Sequence, residues 1–220
     1  FERGDPDVSG GGTVMIVTVD DVVWAEAPER DEAGSPNTVG AVALAAAIHQ
    51  LQEVGMDNIA QHEAELTSYA LTRMQELPDI HIYGDNNPAT STDRLGSIPF
   101  KLNGMSHFQV AAILGYEFGI GVRSGCFCAH PYLLYLMNVS QEHAEVTRRS
   151  MLAGDRSNMP GLIRASFGLY NTTEDIDALV DALKRIAAGG YEGEYIQDKS
   201  SGEYIPQGWS PDFERYFSMQ

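Results

Sequence analysis

The hydrophobic positions of this chain change period several times, and the changes mark out its elements. Thr13-Val14-Met15-Ile16-Val17-Thr18-Val19 is dense in β-branched residues and predicts a strand. It follows a stretch ending Ser9-Gly10-Gly11-Gly12, which reads as a loop, and Ala33-Gly34-Ser35-Pro36-Asn37 further on reads as a turn. Beyond that turn Val39, Val42, Ala43, Ala46, Ala47 and Gln50 recur at the spacing of one helix face. A second helix is predicted over about 57–77, with Ile59, Leu66, Ala70, Met74 and Leu77 on one stripe.

The period then shortens. Ile80-His81-Ile82-Tyr83 predicts a strand, and Ile98, Phe100 and Leu102 alternate with their neighbours as a strand with one buried face does. A helix over 107–118, a short strand over 119–122 and another strand over 161–167 follow. Thr172 with Asp175 three positions on marks a helix start. Its core stripe is Ile176, Leu179, Val180, Leu183, Ile186 and Ala187. After Gly189-Gly190 no period is visible. That segment, with Tyr191, Tyr195, Tyr204, Trp209, Tyr216 and Phe217, reads as a polar-aromatic tail wrapping the surface. Short strands mixed with helices define an α/β chain whose compact part has α+β character. The expected divisions are residues 1–56, 57–190 and 191–220, with no internal repeat.

Composition narrows the partners. The 220 residues suffice for a real core, and no apolar run approaches the ~20 residues of a membrane span. Thirty-one acidic against fourteen basic residues give a net charge of −17, which repels nucleic acid and anionic membranes. A soluble acidic surface is the plainer reading of that surplus than a salt-rich habitat. Phe1-Glu2-Arg3-Gly4-Asp5-Pro6 is polar and turn-like rather than a signal peptide, and no initiator methionine stands before it. Two cysteines one residue apart form no secreted disulfide framework, so a reducing cytoplasm is expected.

Both cysteines fall in Arg123-Ser124-Gly125-Cys126-Phe127-Cys128-Ala129-His130-Pro131, together with an arginine and a histidine. Three chemistries compete there. Cys126, Cys128 and His130 could ligate a metal, but a closed zinc site wants four ligands and no second pair exists. Two small thiols could simply be buried. Alternatively one cysteine is a nucleophile, its thiolate favoured by the guanidinium of Arg123. On residue chemistry alone these stay open.

This loop resembles the active-site loop of the class V aminotransferase superfamily, in particular its cysteine desulfurases of the sulfur-mobilising type. Arg164-Ala165-Ser166-Phe167-Gly168-Leu169-Tyr170-Asn171-Thr172 resembles the same family's carboxylate-binding segment. Arg30 with Glu32-Ala33-Gly34-Ser35-Pro36-Asn37 is similar to its glycine turn, with Ser35 in place of the usual threonine. The three segments keep the family's order.

The resemblance implies a fold-type I enzyme dependent on pyridoxal phosphate. Residues 1–56 would be the end of its large cofactor-binding domain and a connecting helix, and 57–190 its small C-terminal domain. It implies Cys128 as the residue that takes sulfur from L-cysteine as a persulfide, leaving alanine. It also implies Arg164 as the grip on the substrate carboxylate, with Arg123 assisting, since a guanidinium holds a carboxylate bidentately. Gly11, Gly12, Gly34 and Ser35 correspond to segments that reach the cofactor phosphate of a partner subunit, so a homodimer and a sulfur-acceptor protein are implied as partners. Cys126 stands where histidine is frequent, and no metal is expected.

One departure matters. The family holds its cofactor on a lysine in a segment upstream of these matches. The three lysines here, Lys101, Lys184 and Lys199, lack that context. The expectation is therefore a C-terminal portion that alone neither holds the cofactor covalently nor turns over cysteine. Other class V chemistries (aminotransferase, epimerase, carbon–sulfur lyase) and a separate non-catalytic domain that binds a partner or zinc through the cysteine loop are the alternatives.

Overall fold

The computed structural model describes residues 4–211 and 213, and it divides into two units, Phe1–Met56 and Asp57–Gln220. In the first, β1 (Val14–Val17) pairs antiparallel with β2 (Val22–Trp24), Val17 opposite Val22. Thr18 and Asp21 close the turn, the Asp21 N–H donating to Thr18 Oγ1 at 3.0 Å. Helix α1 (Thr38–Val54) starts at Asn37, whose side chain accepts from the Gly40 N–H at 2.9 Å. It stops at Gly55, where φ is +92°. The stripe of Val39, Val42, Ala43, Ala46 and Ala47 lies on this helix as the spacing predicts, yet α1 has no buried residue.

In the second unit the alternating strands join one sheet. β3 (Ile80–Ile82), β4 (Ser97–Leu102), β5 (Arg123–Gly125) and β6 (Leu162–Ser166) pair antiparallel in the order β3-β4-β6-β5. Side chains two apart on a strand share a face. Ile98, Phe100 and Leu102 of β4 and Ile163 and Ala165 of β6 therefore point together. They pack against α2 (Met56–Gln75), α3 (His107–Phe118) and α6 (Thr173–Ala187) in one core. Leu66, Ala70 and Met74 of α2 enter that core as the stripe predicts. Tyr69 and Arg73 bridge α2 to α6, donating to the Asp177 carboxylate at 2.9 and 3.0 Å. The opposite face of the sheet carries a smaller cluster of Cys126, Leu133 and Leu162. Leu133 comes from α4 (His130–Leu136), after which α5 (Gln141–Leu152) follows.

The structure corrects four expectations. The strand before the cysteines is Arg123–Gly125 rather than 119–122, because Gly119 (φ +66°) and Ile120 are used to end α3, the Ile120 N–H reaching Leu114 O at 2.9 Å. On α6 the last stripe position, Ala187, is exposed and Ala182 is buried instead. Helix α5, which buries only Thr147, and the three-residue strand β2 were not anticipated. The tail forms a hairpin of β7 (Tyr195–Gln197) and β8 (Tyr204–Pro206), not an irregular wrap. Glu117 at the end of α3 pins this tail by accepting from the Glu192 and Gly193 N–H groups and from Tyr195 Oη, each at 2.9 Å. Tyr216 and Phe217 of the tail, and Phe1 to Arg3 of the polar start, lie outside the described residues.

Candidate active site on the cysteine loop

The cysteine loop is a strained turn held at three points. Phe127 and Cys128 take φ of +53° and +59°, the left-handed region that costs a non-glycine residue about 1 kcal/mol or more each. The Ala129 N–H closes the turn onto Cys126 O at 2.8 Å. Cys126 is buried and its Sγ donates to Pro160 O at 2.9 Å, while burial pushes that thiol's pKa up. A buried thiol with a raised pKa is a poor nucleophile and a good anchor. Cys128, two residues on, is exposed. The loop therefore spends its strain on presenting one sulfur and tying down the other.

Phe127 provides the third hold. The Arg164 guanidinium lies over its ring, 5.1 Å from the centroid, a cation–π contact. Arg164 sits mid-strand on β6, with Pro99 of β4 on one side and Arg123 of β5 on the other in register. Cross-strand partners share a face, so both arginines are on the side of the sheet away from the helical core. Arg164 Nε is buried and has no hydrogen-bond partner among the described residues, and neither arginine side chain has an ion pair there. Unpaired buried guanidinium N–H groups are costly unless something arrives to accept from them. A carboxylate is the complementary group.

The other expected residues belong to the first unit. A Cβ on Gly10 would lie 2.0 Å from Ala33 O, and one on Gly12 would lie 2.2 Å from Glu32 O. Only glycine lets the 10–12 loop pack against the turn backbone, and this packing brings Gly11 and Gly12 beside the segment that leads into Gly34 and Ser35. Gly11 and Gly34 have nothing within 4 Å of where a Cβ would be, so the space beside them is open. Arg30, in the same turn segment, has its Nε buried without a partner among the described residues.

The three lysines stand elsewhere. Lys184 pairs with Asp181 on α6 at 3.7 Å, Lys101 faces His81 across the β3–β4 ladder, and Lys199 lies in the turn that joins β7 to β8. No group of three or more His, Cys, Asp or Glu residues able to hold a metal ion occurs among the described residues. No helix among them is long and apolar enough to cross a membrane. Sequence reasoning did not find Phe127 as the platform under Arg164, nor Cys126 as an anchor. The only signal was an apolar residue and a second thiol packed against the nucleophile candidate.

The antiparallel sheet is thus backed by helices on one face, and the other face carries Arg164 without an ion pair, next to the loop that exposes Cys128. The chain belongs to the class-V aminotransferase family, whose pattern matches residues 2–179. That family depends on pyridoxal phosphate. Cysteine desulfurases of Escherichia coli O1:K1 and of Escherichia fergusonii are each 37% identical to it over 184 residues, 82% of this chain. Those residues are 38% of each relative, so the chain spans about two-fifths of the curated relatives it matches. The apo cysteine desulfurase of Thermococcus onnurineus NA1 superposes with a TM-score of 0.64 at 31% identity, covering 84% of this chain and 40% of that one. The E. coli cysteine desulfurase CsdA, in an S-sulfonic acid form, gives 0.63 at 27%, covering 86% and 40%. The α/β architecture is thus that of the fold-type I pyridoxal-phosphate enzymes.

Proposed function

We propose that this chain is the sulfur-accepting portion of a pyridoxal-phosphate-dependent cysteine desulfurase. The observation that carries the reading is the pairing of exposed, left-handed Cys128 with Arg164, whose buried Nε is unpartnered and whose guanidinium rests on the loop's own Phe127. Arg164 takes the substrate carboxylate, with Arg123 beside it in register adding a second positive charge. The carboxylate supplies a charged acceptor that the Arg164 guanidinium lacks among the described residues. Held this way, L-cysteine offers its sulfur to the neighbouring loop.

Cys128, as thiolate, attacks that sulfur. A sulfur–sulfur bond forms on Cys128 as the substrate carbon–sulfur bond breaks, its electron pair leaving with the carbon, which is protonated to give alanine. Pyridoxal phosphate supplies, when bound, the electron sink for that cleavage. Gly11, Gly12, Gly34 and Ser35 fit its phosphate through backbone N–H groups and one hydroxyl, in a second copy of the chain, and this makes a homodimer part of the reading. An exposed persulfide on Cys128 can then be handed to a sulfur-acceptor protein.

The deciding experiment measures L-cysteine-dependent sulfide release by the protein as isolated from its source. Cys128→Ala abolishes release while Cys126→Ala retains most of it. Unchanged release in Cys128→Ala overturns the reading. A readout without turnover is available in the chain itself: iodoacetamide modifies Cys128 well before Cys126, because only Cys128 is exposed. With pyridoxal phosphate and borohydride, none of Lys101, Lys184 and Lys199 is labelled stoichiometrically, and mass spectrometry showing one specifically reduced lysine would refute that.

A further inference from the structure

The tail hairpin closes a cleft for which desulfuration has no use. The family pattern ends at residue 179, so β7, β8 and Trp209 lie beyond it. They bring Tyr195, Pro206 and Trp209 beside Tyr116 of α3, and all four residues line a cleft of about 510 Å³. The Trp209 ring meets the Tyr116 ring at 5.2 Å with 67° between their planes. Tyr195 stands 6.5 Å from Tyr116 at 51°. The rings are thus set as the walls of a corner rather than as a stack. The Trp209 N–H fixes its own wall by donating to Pro206 O at 3.0 Å. Despite these contacts Tyr116 is 42% exposed and Trp209 46%, so both present aromatic surface to solvent.

Two opposite charges line the same cleft, Glu117 and Arg185. Glu117 accepts from the Glu192 and Gly193 N–H groups and from Tyr195 Oη, which keep it ionised at neutral pH. A carboxylate has about four lone-pair sites, so Glu117 offers a ligand its charge more than further hydrogen bonds. Arg185 lies over the Phe118 ring, 5.1 Å from the centroid, and forms no ion pair among the described residues. Its N–H groups lie in the guanidinium plane, where a carboxylate can meet them. Aromatic faces attract cations, and most strongly those whose charge is spread over methyl groups and that have no N–H to satisfy. A corner of rings with a saturated carboxylate and an unpaired guanidinium therefore matches a zwitterion rather than a lone ion.

We propose that this cleft binds a small zwitterion with a quaternary ammonium head, of the betaine class. The methylated cation rests against the Tyr116 and Trp209 rings in the field of Glu117, and the carboxylate is taken by Arg185. A primary ammonium fits less well, because its three N–H donors meet a carboxylate already occupied. The inference uses none of the residues assigned to desulfuration and stands or falls apart from that reading.

Titration of the chain with glycine betaine tests it, read by Trp209 fluorescence in a Trp24→Phe background that leaves Trp209 as the one tryptophan. Two analogues separate the contributions. The anion of tert-butylacetic acid keeps the shape and the carboxylate but has a neutral head, and glycine keeps both charges but carries N–H donors. Glycine betaine gives a saturable change in emission and binds about tenfold tighter than either, the scale of a partly desolvated cation–π contact. Arg185→Met weakens glycine betaine about tenfold and does not weaken tetramethylammonium, which has no carboxylate to lose. Arg185 is exposed, so this variant is expected to fold, and the analogue series needs no variant at the site. An emission change that never saturates, equal affinity for the neutral-headed anion, equal affinity for glycine, or unchanged glycine betaine binding in Arg185→Met overturns the proposal.

Discussion

Helices α1 and α6 both show an apolar stripe in the sequence, and the two stripes have opposite fates. On α6, Ile176, Leu179, Val180, Leu183 and Ile186 are each 4% exposed or less. On α1, Val39 is 79% exposed, Val42 70% and Leu44 62%. The same contrast holds for the strands: Phe100 and Ile98 of β4 are fully buried, whereas Met15, Ile16 and Val17 of β1 are all more than half exposed. Periodicity reports which side chains share a face. It does not report whether a second surface meets that face, and the second unit supplies such a surface from its own residues while the first does not. Stability of this chain accordingly resides in Asp57–Gln220.

The sharpest way to break that contrast is truncation in the core. Phe100→Ala costs about 3–5 kcal/mol in urea unfolding, because transfer and cavity terms add at a fully buried aromatic position. Gly202→Ala comes next, at about 1–3 kcal/mol. Gly202 has φ +84°, and a Cβ there would sit 2.8 Å from the Phe108 ring and 2.9 Å from Arg156 O. The ring could yield, but the backbone carbonyl cannot.

A smaller effect separates the hairpin tail from the core. Burial works against the Glu117 carboxylate, but the N–H groups of Glu192 and Gly193 and the Tyr195 hydroxyl outweigh it and hold its pKa below 4.5. A depressed folded pKa means that pinning of the tail is complete above pH 4.5 and is lost as pH falls through the lower folded value. Trp209 lies 5.2 Å from the Tyr116 ring and reports the release by fluorescence in a Trp24→Phe background. Glu117→Gln removes that acid step; an acid transition that persists in the variant would assign it elsewhere. The smallest expected effect is Val39→Ala, within about 0.5 kcal/mol, since Val39 is largely uncovered among the described residues. A loss near that of Phe100→Ala would show that α1 is buried in solution against another surface.

Legibility followed the range of the interaction that decides each feature. The helix over 107–118 was readable to the residue, because Ser106 caps it and Gly119 ends it locally. The capping aspartate of α6 was equally local: Asp175 accepts from the Thr172 N–H at 3.0 Å. The strand feeding the cysteine loop was misplaced by a few residues, since Gly119 and Ile120 serve the helix end and Arg123–Gly125 is a strand only through its pairing with β6. The tail hairpin was missed because Glu117, 75 residues or more away in sequence, holds it in place.

The sequence by itself determined the residue types on which the site depends. It brought two thiols and an arginine onto one short loop and put a second arginine in an apolar strand. It also placed glycines where a backbone must pass closely, and these are local chemical facts. Only the tertiary structure decided their roles. Pairing of β5 with β6 set Arg123 beside Arg164, packing under Leu133 and Leu162 buried Cys126 and left Cys128 outside, and the Phe127 ring came to rest against the guanidinium. The physical reason is that reactivity here is set by burial and by unmet hydrogen bonds. Both are properties of what surrounds a residue, and its surroundings arrive from distant parts of the chain.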